Sequence, residues 1–287
     1  MRPLGDAAAL ATAMIWAYAS LAYKPFIARL GALRTNVMRM LYASLATLPF
    51  ALALMTFKEG EAFAVLSGVL SLSVGDTMYL ASIGSAGLSV AAPLSYTYVI
   101  LAEVISTVLL GERLTPGLAA AGALIVAGVA LISVGPGGRA SPRGVAMALG
   151  ASGAWALGQV MIGLADAGGV PPVVIAFLRV AASGALLAAG LKLAARLRGG
   201  DAGLMSALRR TARSSLPLVA ALDLGLGVTL FALSVRASGF DQAVVIVSSL
   251  PLFAQLMAWL SGAERPRPTE VAGAAAVVVA VAVAFMA

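Results

Sequence analysis

Histidine and cysteine do not occur in this chain, and only 11% of its residues are charged. Each scarcity closes a class of function. Without histidine the usual metal ligand is gone, and so is the side chain that ordinarily titrates near neutral pH. Without cysteine there is no disulfide and no thiolate nucleophile, and the redox compartment stays open. The sequence also has no paired-aspartate motif, no Gly-x-Ser-x-Gly elbow and no ATP-binding loop, which argues against an intramembrane enzyme and leaves only a gradient or facilitated movement as a driving force. No cofactor and no metal are expected. The low charge excludes a soluble domain, which would be about a quarter charged.

What is present is apolar: hydrophobic residues make up 61% of the chain and its mean hydropathy is +1.00. The net charge of +7 reads as basic loops lying against anionic lipid rather than as a nucleic-acid surface. An all-α polytopic membrane protein follows, because only helices satisfy their own backbone groups within single segments in lipid. Runs long enough to cross the hydrocarbon core lie at 6–23, 35–57, 62–83, 89–110, 116–134, 144–165, 172–196, 215–235, 241–262 and 269–286. These are ten predicted spans, the first of them retained for want of a signal-cleavage site. Lys24-Pro25, KEGE at 58–61, GSAGLS at 84–89 and RPRP at 265–268 mark breaks between them. Residues 197–214 form the longest connection, with two readings: a short amphipathic surface helix near Leu204–Arg213 or a solvated basic loop.

The chain repeats itself. Residues 89–134 and 241–287 are two versions of one pattern, each an apolar run with a proline, then Glu-Arg, a proline-marked turn and a second apolar run. An offset of 152 brings Glu112-Arg113 onto Glu264-Arg265, Gly75 onto Gly227, Thr77 onto Thr229, Tyr79 onto Phe231 and Ser82 onto Ser234. Trp16 recurs as Trp155 and Arg39 as Arg179, at offsets of 139 and 140. The expected organisation is a five-helix repeat over 1–135, a linker at 136–142 and a second five-helix repeat over 143–287. Five is odd, so the second repeat must be inverted relative to the first, the build of a secondary transporter that exposes one midplane site alternately to each side. Four Lys and Arg residues flank the spans on the side that holds both termini and thirteen flank them on the other, so the positive-inside rule places the termini outside the cytoplasm.

The stretch APLSYTYVILAEVISTVLLGERLTPGLAAAGALIVAGV, its degenerate partner at 243–283, the tryptophan in each half's first span and the arginine in each half's second resemble the drug/metabolite transporter superfamily, specifically its EamA-type ten-helix carriers. The second copy departs from the Gly-Glu-Arg pattern, with Ala263 in place of glycine and Pro266 after the arginine. The resemblance implies a multi-pass protein of the cell (plasma) membrane that moves a small metabolite, often an amino acid or related compound and frequently outward. It also implies termini in the cytoplasm, against the charge count.

Ionisable residues inside spans are costly and mark cavities or ion pairs. Five stand out: Arg39, Asp76, Glu103, Arg179 and Asp223. Pro93, Tyr96, Ile100, Glu103 and Thr107 share one face of the fourth span, and the matching face of the ninth carries Ser248 and Gln255 beside Pro251. Glu103 reads either as a cavity residue or as an ion-pair partner of Arg39 or Arg179. Arg39, Arg179 and Asp76 are the structural or ion-pair candidates, Asp76 near the end of the third span with an interfacial place as its other reading, and Asp223 lies deeper. If transport is proton-coupled, Glu103 and Asp223 are the deep carboxylates available to carry the proton. Trp16, Ser20, Trp155 and Gln159 in the first and sixth spans and Tyr79 in the third complete the set of cavity candidates, with membrane packing as the alternative for each aromatic. Pro93 and Pro251 are the hinge candidates. Proton-coupled efflux of multiple drugs or organic cations is the competing function, weakened because the first and sixth spans hold no deep acid. Stripes of small residues, such as Ala272, Ala276, Ala280 and Ala284, suit either close helix packing or a homodimer face, so the chain reads equally as monomer or homodimer.

Overall fold

The computed structural model describes residues 2–55, 58–110, 120, 123–124, 127–128, 131 and 141–286, with the backbone alone at 103, 106–110, 241, 245, 281 and 284–286. Among the described residues every regular element is helical. Six helices are long and apolar enough to cross a bilayer: Arg2–Leu30, Ala32–Leu54, Glu61–Ala86, Pro142–Ala167, Pro172–Leu197 and Leu216–Ser238. They coincide with the first, second, third, sixth, seventh and eighth predicted spans. Shorter apolar helices, Leu88–Ala102, Leu250–Leu260 and Pro268–Ala280, stand where the fourth, ninth and tenth were expected. The fifth predicted span, the Glu112-Arg113 pair and most of the linker lie outside the described residues, apart from isolated positions.

The fourth and ninth spans are each interrupted. Helix Leu88–Ser95 gives way to Tyr98–Leu110 across a turn at Tyr96-Thr97, and Phe240–Val247 gives way to Leu250–Leu260 across a turn at Ser248-Ser249. The interruptions fall at the same 152-residue offset as the repeat. Pro251 sits in the first turn of its helix, where a missing N–H costs nothing, and it cannot continue the helix before it. Pro93 lies inside its helix and leaves the Ser89 carbonyl without an i+4 donor. Gln255 Nε2 supplies that donor from the ninth span at 3.0 Å. The third and eighth spans each widen into a π-helical stretch, Gly68–Gly75 and Ala221–Gly227, a geometry concentrated at functional sites.

The two repeated stretches interlock. The first span packs on the eighth and ninth, the sixth on the third and fourth, and the second on the seventh. The contacts are close because matched glycines receive matched tryptophans from the other stretch. A Cβ on Gly75 would lie 2.5 Å from Trp155 Cδ1, and one on Gly227 would lie 2.6 Å from Trp16 Nε1. Beside these contacts Tyr79 meets Trp155 at 5.0 Å between ring centroids, and its counterpart Phe231 meets Trp16 at 5.6 Å. Close approach of this kind supplies the dispersion energy that holds helices together where lipid removes the hydrophobic incentive.

The turn after the ninth span also joins the two stretches. Glu264 accepts from the backbone N–H of Leu88 and Ser89 at 2.8 and 2.9 Å, from Ser89 Oγ at 2.8 Å, and from the Lys24 ammonium. It caps the start of the fourth span, which Gly87 enters at φ +83°. Partial burial pushes the Glu264 carboxyl upward, but Lys24 and the three donors outweigh it and hold the group below the usual glutamate range. In the 197–214 connection the amphipathic reading matches the structure: Leu204–Thr211 is a helix, held to the second span by a 2.9 Å hydrogen bond between Tyr42 and Thr211.

Candidate functional site

Where the interlocked helices meet lies a cavity of about 50 Å³, lined by side chains of the first to fourth and sixth to eighth spans. Trp16, Ser20, Arg39, Asp76, Tyr79, Tyr96, Trp155, Gln159, Arg179 and Asp223 all line it. Ten residues picked out as polar, aromatic or ionisable across seven spans are therefore brought to one place. The volume is well under the roughly 300–1,000 Å³ of ordinary ligand pockets, so the site is closed on its own side chains in this conformation.

The charged core of the site is Arg39. Its guanidinium bridges Asp76 Oδ2 at 3.1 Å and Asp223 Oδ2 at 2.6 Å, joining the third and eighth spans through the second. Asn36, one helical turn back, accepts from Arg39 at 3.3 Å and donates to the Leu72 carbonyl and Thr77 Oγ1, both at 2.8 Å. The Tyr23 ring lies 4.5 Å under the guanidinium, and its hydroxyl donates to Asp223 at 2.7 Å. Trp155 Nε1 donates to Asp76 Oδ1 at 2.8 Å, and Trp16 Nε1 donates to the Asp223 carbonyl at 3.2 Å. The two repeated tryptophans thus hold the two acid-bearing positions. Tyr79 donates to Ser20 at 3.0 Å, which in turn donates to the Trp16 carbonyl. Arg39, Asp76 and Asp223 are all buried, so unpaired charges among them would be costly and paired ones rigid.

Asp76, an ion-pair candidate near the end of the third span, is buried at 5% exposure and pairs with Arg39 just after the π-helical stretch Gly68–Gly75. Both acids paired with Arg39 come from the third and eighth spans, whereas the Glu103 side chain lies outside the described residues. Gln255 and Ser248 are buried but do not line this cavity. Gln255 spans helices as a donor to the Ser89 and Glu270 carbonyls at 3.0 and 3.1 Å. Pro93 and Pro251 sit beside the helix interruptions, one before its turn and the other just after.

Tyr98, Ser71 and Asn36 belong to the site and were not singled out from the sequence. Tyr98 was missed because Tyr96 and Tyr98 fall on opposite faces of a continuous helix. The turn between them rephases the chain, and both reach the cavity. Tyr96 and Tyr98 then stack edge-on against Trp155 at 5.6 and 5.9 Å, forming an aromatic wall. Ser71 carried one signal, its alignment with Asp223. Among the described residues no group of three acids is placed to hold a metal ion.

Comparison with known proteins gives this geometry a family. A protein of Archaeoglobus fulgidus named "Uncharacterized transporter" is 28% identical over 277 residues, covering 95% of this chain and 94% of its own. A solved crystal structure, 18% identical, superposes with a TM-score of 0.65 over 100% of this chain and 98% of its own, which shows a shared fold. The EamA-like transporter family matches twice, over residues 3–134 and again over 142–286. The chain belongs to the EamA-like transporter family, and is a multi-pass membrane transporter rather than an enzyme.

Proposed function

We propose that this protein is a secondary transporter of the plasma membrane, moving a small amino-acid-like metabolite, outward in the cell, by alternating access at the cavity around Arg39. The reading takes the chain as ten spans in two inverted five-helix repeats, 1–135 and 143–287, joined by 136–142. One observation carries it: the cavity is walled by matched residues of both repeats, Trp16 with Trp155 and Arg39 with Arg179, while each repeat's first helix packs on the other repeat. Halves that exchange contacts in this way can swap conformations by rocking about a fixed centre. The interruptions at Tyr96-Thr97 and Ser248-Ser249 supply flexible points on the fourth and ninth spans, and the Arg39 triad supplies a centre that stays joined. The triad shares one cation between two carboxylates, which makes Asp76 and Asp223 the groups through which a proton gradient would act.

The absence of native cysteine provides the test. A cysteine replacing Ser20 in reconstituted protein is exposed to a membrane-impermeant thiol reagent from either side. Alternating access expects labelling from both sides, redistributed by substrate; labelling from one side alone under all conditions refutes it. A second reading, efflux of organic cations coupled to protons, draws on the acids and the aromatic wall. It is weakened because Arg39 already occupies both carboxylates.

A further inference from the structure

The two repeated arginines are treated differently by the fold. Arg39 has two carboxylates and an asparagine oxygen. Arg179, its counterpart in the seventh span, is 2% exposed and lines the same cavity, yet among the described residues it has no acid within ion-pairing distance. Its one hydrogen bond goes to Gln159 Oε1 at 3.4 Å, the long end of the range, and its Nε has no partner. The repeat explains the difference. The 152-residue offset that relates the third span to the eighth places Ser71 where the other repeat has Asp223, and Val228 where it has Asp76. Both replacements line the cavity. The second arginine therefore sits in a copy of the first one's site from which both carboxylates have been removed.

Two further donors converge on the same space without partners. Ser71 Oγ and Tyr98 Oη are buried at 1% exposure, line the cavity and have no hydrogen-bond partner among the described residues. The nearby carboxylates are partly engaged: Asp76 accepts from Trp155 and Arg39, and Asp223 accepts from Tyr23 and Arg39 through Oδ2. A buried guanidinium with no ion-pair partner and two buried hydroxyls with no hydrogen bond, all among the described residues, are complementary to a ligand group that brings oxygen acceptors. Buried donors that stay unpaired are costly, and a planar guanidinium fork matches a carboxylate in shape and charge.

We infer that Arg179, with Tyr98 and Ser71, forms an anion subsite that holds a carboxylate of the transported molecule. The inference rests on the transport reading above and narrows its substrate to monoanionic or zwitterionic acids. Arg39 and Arg179 already balance Asp76 and Asp223 in charge, so a doubly charged phosphate ester would leave the cavity strongly negative and is disfavoured. The aromatic wall of Tyr96 and Trp155 stands beside the subsite for the rest of the molecule.

The experiment is a thermal-shift and binding screen of the full-length protein in detergent. The probes are acetate, pyruvate, L-alanine and L-phenylalanine, each paired with its methyl ester, together with tetraethylammonium and glycerol phosphate. At least one acid is expected to raise Tm saturably while its ester does not. Arg179→Gln should weaken that acid at least tenfold, and Arg179→Lys should do so less. Tyr98→Phe should cost a smaller factor with the fold intact. Ser71→Asp, which restores the carboxylate that the other repeat carries, should abolish acid binding by occupying Arg179 internally. The inference is overturned if esters or tetraethylammonium bind as well as acids, if no acid binds, or if Arg179→Gln and Ser71→Asp both leave acid affinity unchanged. Saturable counterflow of a cation or ester in proteoliposomes would leave the transport reading standing and remove the carboxylate. One-sided Ser20→Cys labelling with acid binding retained would do the reverse.

Discussion

Replacing Arg39 with methionine removes the one cation between two buried carboxylates, and the structure fixes how severe that should be. The guanidinium is 4% exposed, and the side chains of Asp76 and Asp223 are only 7% and 6% exposed, so water cannot take over its role. Breaking a buried pair by removing one partner costs about 3–5 kcal/mol, since the other charge is left unbalanced. Here two charges of one sign are left facing each other, which puts Arg39→Met at the upper part of that range. At about 1.4 kcal/mol per tenfold, the folded-to-unfolded ratio falls by roughly two to more than three orders of magnitude. If the cost is the orphaned charge and not lost packing, then Arg39→Met/Asp76→Asn/Asp223→Asn should recover most of it, to within about 1 kcal/mol of the natural protein. The amide oxygens of the two introduced asparagines would still accept from Trp155 and Tyr23. Reversible unfolding in mixed micelles, followed by tryptophan fluorescence, measures all three proteins; Trp16 and Trp155 report from the site itself. A loss under about 1 kcal/mol in the single variant, or a triple variant no more stable than the single, would show that the triad is not the electrostatic centre of the fold.

Two further substitutions test the interlock. Gly227→Ala drives a Cβ into Trp16 and should destabilise by about 1–3 kcal/mol in the same assay, whereas Gly153→Ala, which meets open space, should be neutral or slightly stabilising. Equal melting of the two variants would deny the close approach of the first and eighth spans. Glu264→Gln should lose about 1 kcal/mol at neutral pH, where its charge-assisted cap is intact. Because the folded-state pKa of Glu264 is lowered, its contribution is fully present above the ordinary value of 4.5 and disappears as pH falls through the lowered one. The Tm gap between natural protein and variant should therefore close in acid; a gap that widens there would reverse the assignment.

The order of spans, their apolar character and the duplication were legible because a bilayer imposes a simple rule: every crossing segment must be long, apolar and internally hydrogen-bonded. Arg39, Arg179, Asp76 and Asp223 were legible for the same reason, since charge inside an apolar run is rare enough to be noticed. The matched pairs Trp16/Trp155 and Gly75/Gly227 were visible as repeats but not as contacts. An offset of 139 for one pair and 152 for the other carries no sign that they meet.

What tertiary structure decided was which of these residues face each other. Asp76 was visible as a charge near the end of the third span, and only the packing pairs it with Arg39 of the second. Tyr98 would face away from Tyr96 on a continuous helix, and the turn at Tyr96-Thr97 brings both to the cavity. Gln255 looked like a cavity residue by symmetry with Glu103, and is spent on the carbonyl that Pro93 releases. The sequence by itself determined that the chain spans a membrane as a doubled helical unit with charge buried in it, because composition and periodicity are local and additive. The pairing of Arg39 with acids from two other spans belongs to three-dimensional packing, since it depends on helix phase and on contacts between residues up to 184 positions apart.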